Sequence, residues 1–85
     1  MDQELEEIIS LLKELQDDST VPKNVKAKLK DMEAELQSEE GELSLKINKI
    51  LSDVEEIAND INIPMFVRNQ IFSLTSMLEN MNYNQ

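Results

Sequence analysis

The sequence predicts an all-α fold, an antiparallel four-helix bundle made of two tandem helical hairpins. Three observations point there. Among 85 residues there are one Gly and two Pro, so almost nothing interrupts helices. Apolar residues recur at helical spacing through four segments separated by short breaks. The chain also aligns with itself, without a gap, at an offset of 42 residues. A chain of this length is one domain on ordinary size grounds, with a thin core.

The internal alignment has seven identities: Ile8/Ile50, Ser10/Ser52, Glu14/Glu56, Asp18/Asp60, Pro22/Pro64, Val25/Val67 and Leu36/Leu78. Seven further pairs keep an apolar residue, from Leu5/Ile47 and Ile9/Leu51 to Leu29/Ile71 and Met32/Leu74. The main breaks are Leu11 against Asp53 and Lys30 against Phe72. An internal period of this size predicts stacked helix-turn-helix units, one over about residues 1–40 and one over about 43–83.

Taking the helices in order, Leu5, Ile8, Leu12 and Leu15 share one face of the first, and Ile9 and Leu11 widen it. Val25, Leu29, Met32 and Leu36 form a narrower seam on the second. Ile47, Ile50, Val54, Ile57 and Ile61 stripe the third, with Leu51 and Ala58 beside them. Val67, Ile71, Leu74, Leu78 and Met81 stripe the fourth, and Phe66 and Met77 are expected to widen it.

The joints follow from turn chemistry. Thr20 and Asn62 are expected to cap the second and fourth helices, with Pro22 and Pro64 in the first turn. Val21 and Ile63, each before a proline, are pushed toward extended backbone. Gly41 is expected to cap the end of the second helix in a left-handed conformation. Loops this short make neighbouring helices antiparallel.

The stretch from Asp60 to Glu79, with its Asn62-Ile63-Pro64 turn, Arg68 and Ser76-Met77-Leu78-Glu79, resembles uncharacterised protein family 0147 of archaea. Residues 18–25, Asp-Ser-Thr-Val-Pro-Lys-Asn-Val, are similar to that family's first turn. The resemblance implies a four-helix bundle in an archaeal cytoplasm and no particular activity. The recurring Asp-x-x-x-Pro-x-x-Val-Lys/Arg pattern is also similar to a HEAT-type repeat. Two such units are too few for an open solenoid, which favours closure into a bundle.

Composition narrows the function. Eighteen acids against eight bases give a net charge of −10, which opposes binding to nucleic acid or to an anionic membrane. The absence of Cys excludes disulfides and thiol chemistry, and the absence of His removes the commonest general base and zinc ligand. The acidic N-terminal sequence is unlike a targeting peptide, and no apolar run is long enough to span a bilayer, so the cytoplasm is expected. No Gly-rich phosphate loop is present, and Ser10 and Ser52 have no base at a useful spacing. Glu39, Glu40 and Glu42, like Asp17 and Asp18, lack the spacing of a calcium loop, so solvated loops are the simpler reading than a weak cation site. No catalytic residue, metal or cofactor is implied.

Two groups of residues are candidates for a role. Asp18 and Lys26, and Asp60 and Arg68, share an eight-residue separation across the two Pro turns. They read as structural latches, the cation holding the loop acid or the carbonyls that end the preceding helix. The second group lies on the fourth helix. At about 100° per residue, its core stripe falls within about 40° of Val67, while Met65, Phe72 and Tyr83 fall near about 140–160°. Lys23 and Lys30 occupy the places of Met65 and Phe72 in the first half. Residues 1–42 hold 13 acids and five bases, a net −8, and residues 43–85 hold five and three, a net −2. The fourth helix is therefore apolar outside as well as inside, which predicts an interface. The expectation is a non-enzymatic interaction or scaffold protein that binds a protein partner or itself, with a dimer favoured. The alternative is a regulatory bundle holding a small apolar ligand between its helices.

Overall fold

A computed structural model describes residues 3–60 and 62–83. It contains four helices: α1 (Gln3–Asp17), α2 (Lys23–Gln37), α3 (Leu43–Ala58) and α4 (Met65–Tyr83). Each helix packs on its two neighbours in the chain order, and α4 returns to close on α1. The result is a ring of four antiparallel helices, 33 × 19 × 19 Å, rather than an open stack. Hydrogen bonds across the seams record the antiparallel sense. Asn80 near the end of α4 donates to Glu4 near the start of α1, and Asn82 donates to Asn48 of α3.

The core is the set of apolar stripes turned inward. Ile8, Leu12 and Leu15 of α1 meet Val25, Leu29, Met32 and Leu36 of α2. Ile47, Ile50, Val54 and Ile57 of α3 meet Val67, Ile71, Leu74, Leu78 and Met81 of α4. Burying a side chain of this size contributes about 1.5–3 kcal/mol, and removal of this surface from water is the main force holding the ring closed. Val21 and Ile63, just before the prolines, are buried too and cover the core at the turns. Ile61, expected at the end of the α3 stripe, lies outside the described residues.

The breaks fall where turn chemistry puts them, but three caps differ from expectation. Thr20 and Asn62 do not cap helices. Their backbone N–H groups donate to the carboxylates of Asp18 (2.8 Å) and Asp60 (2.9 Å), which makes them turn residues. Pro22, extended at φ −58° and ψ 149°, takes the cap position of α2, and its carbonyl accepts from the Lys26 N–H at 2.9 Å. Pro64 accepts from the Arg68 N–H at 3.0 Å in the same way. The prolines therefore stand one place ahead of the first turn. Gly41 does have a left-handed backbone, φ +80°, but it does not cap α2. Ser38 ends that helix in extended geometry, its N–H shared between the carbonyls of Ala34 and Glu35. The left-handed residue is deferred to the point just before Glu42, which takes the cap position of α3.

Candidate functional site

Four apolar residues of α4 remain exposed beside a saturated core: Met65, Phe66, Phe72 and Tyr83. Phe72, 52% exposed, lines a concave surface. Leu51 and Ala58 of α3 and Thr75 of α4 line a groove beside it, with Glu55 and Glu79 on the rims and a volume of 280 Å³. Helix geometry explains the placement. Phe72, Thr75 and Glu79 lie three to seven residues apart on the flank of α4 that faces α3. Leu51, Glu55 and Ala58 repeat that spacing on the facing flank of α3. Thr75 turns its hydroxyl back to the Ile71 carbonyl at 3.0 Å, leaving its methyl group for the groove.

Met65, Phe72 and Tyr83 are all exposed on α4, but the groove takes only Phe72 of the three. Met65 is 74% exposed and Tyr83 88%, and neither lines the groove. With a rise of 1.5 Å per residue they stand about 10 and about 16 Å from Phe72 along the helix axis, at opposite ends. Phe66, expected to widen the core, is instead 62% exposed. Its place on the wheel, about 100° from Val67, lets it turn outward at the start of the helix, whereas Met77 does pack against the core. Leu45 of α3, 65% exposed, was not anticipated. It falls off that helix's apolar stripe, which is the signal that identifies it.

The same place in the first hairpin is closed. At the positions of Ala58 and Thr75 it has Gln16 and Glu33, and the Gln16 amide donates to the Glu33 carboxylate at 2.8 Å. The Lys30 side chain, exposed, stands where Phe72 does. A wider depression of 540 Å³ lies between α1 and α4, with Leu11 and Met77 beside Glu6, Glu7 and Glu14, but no aromatic lines it.

The predicted latches occupy the connections. The Arg68 guanidinium donates through Nη2 to the Asp60 carbonyl at 2.9 Å, a second donor to an acceptor just past the end of α3 that also takes the Ile63 N–H at 3.4 Å. Lys26 makes no such bond. It acts on Asp18 only through its field, and the Asp18 carboxyl is held below its ordinary value chiefly by the Thr20 hydroxyl (2.7 Å), then by the Thr20 N–H, with Lys26 adding last. A third member escaped the sequence reading. Lys46, buried at 7% exposure, donates through Nζ to the Ser38 carbonyl at the end of α2, again eight residues back. A cation at this spacing follows every connection because the first turn of each helix returns over the end of the last. There its charge also opposes the negative end of the helix dipole.

The profile of an uncharacterised protein family, UPF0147, matches residues 1–81. The chain belongs to this family. It is similar to the UPF0147 protein of Thermoplasma volcanium, 41% identical over 93% of this chain and 90% of that one. The UPF0147 protein of Archaeoglobus fulgidus is 39% identical over 88% and 85%. Among solved structures, a UPF0147 protein of Thermoplasma acidophilum superposes with a TM-score of 0.88 at 41% identity, covering 93% of this chain and 94% of that one.

On this member, Ser10 and Ser52 are exposed on α1 and α3, and Glu39, Glu40 and Glu42 are exposed in the α2–α3 connection. No group of three or more potential metal ligands converges among the described residues. No helix among them is long and apolar enough to cross a membrane.

Proposed function

We propose that this UPF0147 protein is a non-enzymatic interaction module of the cytoplasm that docks a partner protein, or a second copy of itself, on the outer face of α3 and α4. The observation that carries the reading is Phe72, half exposed over an apolar groove, where the first hairpin has a lysine above a closed hydrogen bond. A partly exposed aromatic beside an open groove keeps apolar area in water that a partner would cover, and aromatic residues and Met are enriched in interfaces for that reason. The small-ligand alternative has the same groove as its seat. The groove lies on the outer surface, with an exposed aromatic and two exposed carboxylates along it, and not enclosed between the helices, which favours the side chain of a partner. Sedimentation of wild type against a Met65→Lys, Phe72→Lys variant tests the reading, since these changes restore the residues of the first half. Wild type should sediment above the monomer, or should hold partners that the variant loses. A monomeric wild type rules out self-association, and a variant that keeps every partner rules out this face.

A further inference from the structure

Charge decides which of these occupants the groove fits. Its floor is apolar, from Leu51 and Ala58, and its rims are Glu55 and Glu79, both exposed. Neither carboxylate has an ion-pair partner among the described residues. The single cation of α4, Arg68, is engaged with the Asp60 carbonyl. Positions 42 residues earlier read the other way: Lys13 for Glu55, Lys30 for Phe72 and Gln37 for Glu79. The second hairpin thus exchanges two cations for an acid and an aromatic, and leaves an apolar slot between two negative rims.

From this we infer that the groove takes a cationic amphipathic helix of another protein, with an apolar side chain seated against Phe72, Leu51 and Ala58 and its Lys or Arg side chains on Glu55 and Glu79. The inference rests on the docking reading above and narrows its partner. Lys and Arg suit such a rim because their long stems cover apolar surface while the charged heads reach the carboxylates. Laying an amphipathic helix in a groove is an established recognition mode, and complementary charge fixes its register. A second copy fits worse. A twofold pairing presents the same patch from both sides, so four rim carboxylates and no rim cation would come together between two chains of net charge −10.

The test is an NMR titration of the ¹⁵N-labelled full chain with a Leu/Lys amphipathic helical peptide and with a Leu/Gln peptide of the same Leu positions. The Leu/Lys peptide should shift Leu51, Ala58, Phe72 and Thr75, and the Leu/Gln peptide should bind about tenfold or more weakly. Reversing the rims with Glu55→Lys and Glu79→Lys should weaken the Leu/Lys peptide by a similar factor, and Phe72→Lys should abolish its binding at the groove. All three changes are at exposed residues, and the variants' own spectra report whether the fold is kept. Shifts centred on Glu6, Glu7 and Glu14 of α1 would mean attraction to acidity alone and would overturn the inference. Equal binding of the two peptides, or binding that survives rim reversal, overturns it too. If Phe72→Lys still abolishes binding in that case, the docking face stands and only the partner's charge is wrong; if it does not, the docking reading falls as well.

Discussion

In the first hairpin a glutamine, Gln16, reaches across to Glu33 and ties the outer edges of α1 and α2 together; in the second, Ala58 and Thr75 occupy those places and the edges stay apart. The interiors show no such contrast. Leu29 and Ile71, 42 residues apart, are both 0% exposed, and Met32 and Leu74 are buried alike. The turns are alike as well, each with an Asp carboxylate accepting from the residue two further on and a proline carbonyl starting the next helix. What the difference teaches is that core and surface answer to separate demands. Closing the ring requires apolar stripes from both hairpins. Staying in solution alone would be served by the first hairpin's lysines, so an apolar groove on the second calls for another explanation, and the proposed partner would supply one.

That comparison can be broken first at the core, where effects are largest. Leu29→Ala and Ile71→Ala should each cost about 2–5 kcal/mol, because both side chains are fully buried and truncation removes their packing and leaves a cavity. Against a total stability of about 5–10 kcal/mol for a domain of this size, either change should lower the melting temperature by many degrees. A shift of a degree or less at one site would mean that the hairpins do not share the core equally. Next come the latches. Arg68→Ala removes the shorter of two hydrogen bonds to the Asp60 carbonyl and should cost about 1 kcal/mol, whereas Lys26→Ala removes only a weak field and should cost less than about 0.5 kcal/mol, both read by urea denaturation. Equal losses would show that Lys26 carries more than the geometry gives it.

Smaller still is the effect of grafting one outer edge onto the other. Ala58→Gln with Thr75→Glu copies the bond of the first hairpin into the second. These positions are half-buried at the surface, so stability should stay within about 0.5 kcal/mol while the groove fills. A large loss would show that the small residues serve packing rather than docking. The smallest effect is acid sensitivity at the first turn. The Asp18 carboxyl titrates below its ordinary value of 3.8 in the folded chain. Its contribution is therefore complete above the unfolded value and is lost as the pH falls through the depressed folded value. Thr20→Val removes the largest cause, so the Asp18 carboxyl resonance of that variant should titrate at higher pH than in wild type. An unchanged titration would contradict the assignment.

Most of the fold was legible in the sequence because a stripe of large apolar residues has one way to leave water. The four stripes, the three breaks and the closure of the ring all follow from that. The caps were harder, since Asp18 and Asp60 draw Thr20 and Asn62 into the turns: their carboxylates accept the Thr20 and Asn62 N–H groups, and Asp18 also takes the Thr20 hydroxyl. Lys46 was hidden because its acceptor is the Ser38 backbone, which no side-chain pattern announces. Of the candidate face, the Lys30 to Phe72 exchange was visible at once. The groove beneath it was not, because it depends on the absence of side chains at Ala58 and Thr75, and that is seen only when α3 and α4 are set side by side.

The central claim, that the second hairpin carries a working face the first lacks, is tested most directly by photo-crosslinking in the native cell. A photoreactive phenylalanine analogue would replace Phe72 in one strain and Lys30 in another. Both positions are exposed on the outer side of a hairpin and differ in what surrounds them. A defined crosslinked product from position 72, absent from position 30 and lost when Glu55 and Glu79 are reversed to Lys, is the predicted result. Equal products from both positions, or a product from position 30 alone, would contradict it.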